Sequence, residues 1–404
     1  MKTVYCFVLK ILSVEKAQEI IEGSTKLLVP ASSLTNQVPP KSPAFFNPLA
    51  KLTRDISILA YRAFLQDVNT NKKIFGDALS GVGARALRVA VEVPEINEVY
   101  VNDINPLAVD LAKKTAQLNL VAGKCRFSVS EVCKFLLLHH TNNCDRFNIV
   151  DLDPFGSPAP YIDCMIRSVI DSGLISVTAT DTAVLCGVYS DVCFRKYYGR
   201  PIRCHYANEI AVRIVLSLIS LTASRLGLSI EPVLAHSYSQ YIRVYARINL
   251  SCTKANKVHQ KLGFLYHCHN CGNRTVAEEN NKSEFCNLCK YRFKVAGRLW
   301  VSTLFDKAFI ERMKTFHPKK NGIRAENNDE MNRSILCTCL REDDDIPYYF
   351  VTDEVASKLK TSPLSIDKTI EKLSGSGYKA SKTVFNTRGF KTDARIKDIL
   401  DVLR

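Results

Sequence analysis

No apolar run in this chain approaches the roughly 20 residues that a membrane-spanning helix requires; the longest candidates contain charged or polar residues. A membrane-spanning chain is therefore not expected, and a soluble protein is. A small-residue cleavage site is also missing after the short apolar stretch Met1–Leu12, which Lys10 interrupts. That stretch reads as part of the fold rather than as a secretion signal. No internal repeat is visible, which argues against solenoids and propellers. Acidic residues are in deficit: 40 Asp plus Glu against 55 Lys plus Arg give a net charge of +15. The excess is uneven, with 27 basic and 21 acidic residues over 1–250 (net +6) and 28 and 19 over 251–404 (net +9). A polyanionic partner suits such a chain.

At 404 residues the chain exceeds one ordinary core, so two domains are expected. From about residue 51 to 230 strand-like and helix-like runs alternate, the pattern of a doubly wound α/β sheet covered on both faces. A helix is predicted over Leu49–Leu65, and strands at Glu98–Asn102, Phe147–Val150, Leu174–Thr178 and Tyr241–Ile248. Asn105-Pro106 opens a helix, and Ile210, Ile214, Leu218 and Leu221 share one face of another. Beyond about residue 250 the character changes to short strands, a cysteine cluster, a polar loop at Asn327–Asn332 and the acidic run Glu342–Asp345. Near the end, Ile370–Leu373 and Ile396–Leu403 predict a small helical or winged-helix-like module.

Two segments carry chemistry. The loop Asp77-Ala78-Leu79-Ser80-Gly81-Val82-Gly83 follows a strand, and Asp103 lies 20 residues beyond Gly83 at the end of the next one. Glycines admit a close backbone approach to a ligand, and the acid at that spacing reaches a ribose. A dinucleotide fits this pattern. An anionic side chain at Asp77, however, would repel a pyrophosphate and would favour the ammonium of a methionine moiety, so S-adenosyl-L-methionine is the better ligand. The second segment is Asp153-Pro154-Phe155-Gly156, directly after a buried strand. The Asp153 carboxylate and Pro154 carbonyl can accept both hydrogens of an amino group on a flat base, and Phe155 can stack on the ring. Phe45 or Phe46 can form the other wall. A base must leave its stack to reach such a pocket.

Cysteines such as Cys133, Cys164 and Cys186 are scattered singly through apolar segments and read as reduced, buried thiols, as do the too closely spaced Cys337 and Cys339. Cys268, Cys271, Cys286 and Cys289 differ: two CxxC pairs 14 residues apart have the spacing of a structural zinc ribbon.

Taken together, Phe45-Phe46-Asn47-Pro48, Arg54-Asp55, Asp77–Arg88, Asn102-Asp103, Asp151–Pro158, Thr178–Thr182, the paired cysteines and Gly377–Ser381 resemble the tRNA (guanine-26-N2)-dimethyltransferases of archaea and eukaryotes over nearly the full length. The resemblance implies a Rossmann-like class I methyltransferase domain over 1–250 and a smaller α+β, zinc-ribbon, tRNA-binding domain over 251–404. It implies S-adenosyl-L-methionine bound by Arg54, Arg85 and Asp103 with Ser130 and Glu131 at the adenine end, Asp153 on the amino group, and Phe155 on the base. The partner is then tRNA, with no obligate protein partner evident and a cytoplasmic setting. A methyltransferase for another RNA or DNA amino group, or a non-catalytic zinc-ribbon RNA-binding protein, is the alternative.

Overall fold

The computed structural model describes residues 17–140, 146–238, 240–278, 284–317 and 327–404; Met1–Leu12 lies outside them. A hairpin of β1 (Ala17–Glu22) and β2 (Thr25–Pro30) comes first. The main sheet is built from β3 (Ile74–Asp77), β4 (Glu98–Asp103), β5 (Cys125–Val129), β6 (Phe147–Leu152), β7 (Val169–Ala179), β8 (Leu228–Tyr238) and β9 (Tyr241–Leu250), in the order β5-β4-β3-β6-β7-β9-β8. Strands β3 to β7 are parallel, and β9 runs antiparallel to β7 and β8. Every residue of β3 and β6 is buried, as a sheet covered on both faces demands. The chain winds outward from β3 in one direction and then from β6 in the other. Ligands of such sheets bind at the carboxyl ends of the two strands flanking that switch, and these strands carry the Asp77 loop and the Asp153 loop.

The helix Ala207–Ser224 is 18 residues long, with a mean hydropathy of 1.3 that would suit a membrane span, yet 72% of it is buried inside the protein. Its two charges pair with each other there. Arg213 donates to Glu209 and to the carbonyls of Trp300 and Ser302 at 2.8 and 2.9 Å. This fastens the large sheet to the second one, β10 (Leu262–His267), β11 (Arg274–Ala277) and β12 (Lys294–Trp300), ordered β11-β10-β12. A third sheet, β13 (Phe350–Val351), β14 (Ala380–Thr383) and β15 (Asn386–Thr392), carries helices Thr352–Leu359, Ile366–Gly375 and Ile396–Leu403 around a small core of Phe350, Leu373, Phe390 and Ile399. The expected terminal module and its closing helix correspond to this unit.

Two expectations are corrected. Residues Asn327–Asn332 open a helix that runs to Arg341, not a loop; Asp329 and Glu330 in its first turn and Arg341 in its last complement the helix dipole. Within the acidic run, Glu342 and Asp344 are buried. Asp344 accepts from the Leu304 and Phe305 amides at 3.0 Å each. Cys133 and Cys164 are joined as a disulfide between helices Val132–Leu138 and Ile162–Ser168, whose Cα atoms lie 5.4 Å apart. Their separation of 31 residues in sequence concealed this proximity. Cys186, Cys337 and Cys339 are free thiols.

Candidate active site and cysteine cluster

Sheet register creates a charged row at the carboxyl edge. Asp77 pairs across the sheet with Asp151, Asp151 with Ser176, and Ser176 with Tyr245, so four neighbouring strands present polar side chains at one level. Arg243 on β9 is fully buried and donates to Asp151 Oδ2, to Thr178 Oγ1, and to Ser176 Oγ at 2.5 Å. Tyr61 donates to the same carboxylate from the helix Lys51–Leu65. Arg85, from helix Ala84–Glu92, donates to Ser57 Oγ at 2.6 Å and to Asp153 Oδ2, and its Nε lies 3.2 Å from Asp151 Oδ1. Asp153, two residues beyond Asp151, is thus held by a guanidinium that the buried carboxylate also grips.

Burial alone would push Asp151 up, but Arg243 and Arg85 outweigh it and hold the carboxyl below its usual range. Asp77 behaves oppositely. Burial and the neighbouring Asp151 and Asp153 carboxylates raise it well above the usual range, with Arg85 only partly offsetting them. Three carboxyl groups face two guanidiniums here, and Asp77 is the one whose ionisation they leave disfavoured.

These groups open into a cavity of about 330 Å³ lined by Arg54, Asp77, Gly81, Arg85, Asp103, Asp153, Pro154, Phe155, Phe45 and Phe46, among others. The volume falls within the range of small-ligand sites. Asp103 accepts from the Gly81 amide at 2.8 Å and from the Asn105 amide at 2.9 Å, which ties the glycine loop to β4 and aims the carboxylate. Gly83 has φ +79°, and a Cβ there would meet Ala112 Cβ at 2.9 Å. Gly156 also has φ +79°; its amide donates to Thr180 Oγ1 at 2.7 Å, and its carbonyl accepts from the Thr180 amide at 2.9 Å. The Asp153–Gly156 loop is therefore stapled to the end of β7.

Phe155 is 59% exposed at the cavity mouth, with the Phe45 ring edge-on at 4.6 Å and Lys41 Nζ 4.8 Å from its centroid. Phe46 is instead buried, with the Arg54 guanidinium 5.0 Å from its ring. Glu22 anchors Arg54 by two bonds of 2.7 Å, and the Asn47 carbonyl accepts a third at 3.1 Å. The structure does not bring Ser130 and Glu131 to the cavity wall: Ser130 offers its carbonyl to Asn102 Nδ2 at 3.1 Å, and Glu131 caps the helix Val132–Leu138. Sequence reasoning gave no role to Tyr61, Thr180 or Arg243. A detectable signal existed for Arg243, a charge inside the apolar alternation Ile242-Arg243-Val244.

Cys268, Cys271, Cys286 and Cys289 bring their sulfurs within 4.8 Å of one another. The Cys268–Cys289 and Cys271–Cys286 distances are 3.4 and 3.6 Å. Zn–S bonds of about 2.3 Å give tetrahedral edges of about 3.8 Å, so the cage has the right size. Each pair forms a knuckle of the same design. Cys268 N–H donates to the Asn273 carbonyl and Cys286 N–H to the Tyr291 carbonyl, with left-handed Gly272 and Lys290 closing the turns. The Tyr291 backbone amide and the Asn270 side chain, joined by Cys268 and Cys271, hold Cys289 down at about 6 against desolvation. Such a donor set suits a cation that binds thiolates.

A family model described as N2,N2-dimethylguanosine tRNA methyltransferase matches residues 23–404. A protein of Methanothermobacter thermautotrophicus named tRNA (guanine(26)-N(2))-dimethyltransferase is 33% identical over 388 residues, covering 95% of this chain and 97% of the relative. A protein of the same name from Pyrococcus furiosus is 30% identical, covering 96% and 98%. Among solved structures, the complex of Trm1 from Pyrococcus horikoshii with S-adenosyl-L-methionine superposes with a TM-score of 0.79 at 27% identity, covering 95% of this chain and 99% of that one. The motifs, the fold and these full-length matches agree: the chain belongs to the N2,N2-dimethylguanosine tRNA methyltransferase family.

Proposed function

We propose that this protein transfers one and then a second methyl group from S-adenosyl-L-methionine to the exocyclic 2-amino group of guanine 26 in tRNA. The observation that carries the reading is the placement of Asp153, held by Arg85 at the mouth of the cavity that Asp77, the glycine loop and Asp103 line. In this reading Asp103 receives the ribose hydroxyls, Asp77 the ammonium, and Arg54, fixed by Glu22, the donor's carboxylate. S-adenosyl-L-methionine bound there supplies an electrophilic methyl carbon. The remaining work falls to the protein. Asp153 and the Pro154 carbonyl accept the two amino hydrogens and aim the nitrogen lone pair, while Phe155 and Phe45 clasp the extruded base. As the N–C bond forms and the C–S bond breaks, the nitrogen gains positive charge. The Asp153 carboxylate stabilises that charge and can take the released proton.

The four cysteines hold one structural zinc ion in this proposal, and 251–404 grips the tRNA backbone while 1–250 performs transfer. The numerous free thiols suit a cytoplasmic setting. Labelled donor and an unmodified tRNA transcript, with the product located by mass, test the reaction: the label is expected on guanine 26. Asp153→Ala is expected to lower transfer by about 10²–10⁴-fold while calorimetry finds donor affinity within a few-fold of wild type. Full methylation by that variant would refute the role of Asp153. Metal analysis should return one zinc per chain, and a chelator should unfold the β10–β12 sheet; freshly purified protein without metal removes the zinc assignment.

A further inference from the structure

Resting on the tRNA reading, we infer that the segment 188–203 of the catalytic unit is a second RNA-contacting surface, where splayed bases stack beside phosphate contacts. Tyr189, Phe194 and Tyr198 are 56%, 45% and 65% exposed around the helix Ser190–Tyr197. Arg195 and Arg203 are exposed beside them and make no ion pair among the described residues. Exposed rings interleaved with free guanidiniums are what single-stranded RNA recognition uses, since every base has a face to stack and every linkage a charge. Four basic residues against Asp191 alone give the segment a net charge of +3. That charge favours a polyanion over a protein partner with a mixed surface.

Its anchoring places this surface between the Asp153–Gly156 loop and the cysteine cluster. At one end Tyr197 donates to Asp181 at 2.7 Å and accepts from Ser157 at 2.8 Å, so the helix is bolted to the chain just beyond the Asp153–Gly156 loop. At the other end Arg200 exchanges backbone bonds with Gly297 of β12, and the Arg203 carbonyl lies 3.1 Å from His269 Nε2 in the first cysteine knuckle. A base docked here would lie close to the one being methylated. Tyr198 adds an independent sign. It occupies the left-handed region at φ +55°, a C-cap position where glycine is favoured, and so accepts strain while pointing a ring at solvent.

The test uses the full chain and an unmodified tRNA transcript. Tyr198→Gly is expected to keep or raise the melting temperature, because it relieves the left-handed strain, and to weaken tRNA binding about tenfold. Arg195→Glu with Arg203→Glu should flatten the dependence of log affinity on log salt by about two units. Donor affinity should stay at the wild-type value in both. If both variants bind and methylate tRNA as wild type does, the surface is not an RNA contact. If they instead abolish self-association seen by light scattering and leave tRNA affinity intact, the patch is a protein interface and the inference fails. Failure of the wild-type enzyme to methylate guanine 26 would refute the proposed function, a result separate from either.

Discussion

Two buried ionic clusters lie within one fold and differ in where they end. In one, Lys391 contacts Glu209 at 2.8 Å and Glu342 at 3.0 Å, Arg213 pairs with Glu209, and all four side chains are fully buried. Two cations meet two anions, nothing opens to solvent, and the cluster joins the long helix Ala207–Ser224 to β15. In the other, Asp77, Asp151 and Asp153 face Arg85 and Arg243, and the chain of contacts ends at Asp153, whose side chain is 30% exposed in the cavity. A sealed, charge-balanced cluster has only structure to specify. An open cluster with one uncompensated carboxylate keeps a place for a cationic ligand group and a route by which buried charge governs an exposed one.

Breaking the sealed cluster should give the largest loss of stability. Lys391→Met leaves Glu209 with Arg213 alone and strips Glu342 of its cation, a change expected to remove about 3–5 kcal/mol, read as a lower midpoint in urea with the turnover of folded enzyme unchanged. Wild-type stability would mean that the cluster is already neutral. The sign with pH follows from Glu342: burial raises it and Glu209 adds to that, while Lys391 opposes them. Without Lys391 its raised pKa rises further, so the deficit should grow as pH increases. The open cluster should fail differently. Arg85→Met frees Asp153 and is expected to reduce kcat about 10²-fold, about 3 kcal/mol, with a smaller change in urea midpoint. Donor affinity separates two roles: it should hold steady if Arg85 positions Asp153 and weaken in step with kcat if Arg85 binds the donor.

How much of this was legible follows from the range of each signal. The Gly81–Gly83 loop, Asp103 and the Asp153 tetrapeptide are local patterns at the ends of apolar runs, and their order in the chain marks the switch between β3 and β6. The cysteine pairs are equally local. Strand β8 was missed because Pro232 and a register shift at Leu234 break the alternation of an edge strand, and β5 because only five residues carry it. The partnership of Asp151 with Arg243 spans 92 residues, and that of Lys391 with Glu209 spans 182. No periodicity encodes such pairs; they exist only once the register of seven strands is set.

The open cluster's surplus charge can be counted in protons. Asp77 sits well above the carboxylate range because burial and two neighbouring carboxylates disfavour its charge. Its contribution to folding stability is therefore present below the unfolded pKa and lost as pH rises through the folded one, opposite in sign to that of Asp151. An ammonium placed against Asp77 favours the ionised form, so donor binding should release a proton, and affinity should rise with pH until the elevated pKa is passed. Per proton released the slope approaches tenfold per pH unit, about 1.4 kcal/mol. Below about pH 6 a free α-amino group is almost fully protonated, which isolates the carboxylate's share. Calorimetry in buffers of differing ionisation enthalpy should count close to one proton for the wild type and close to none for Asp77→Asn. Equal counts for the two would place the uncompensated charge somewhere other than Asp77 and remove the contrast between an open cluster that awaits a cation and a sealed one that does not.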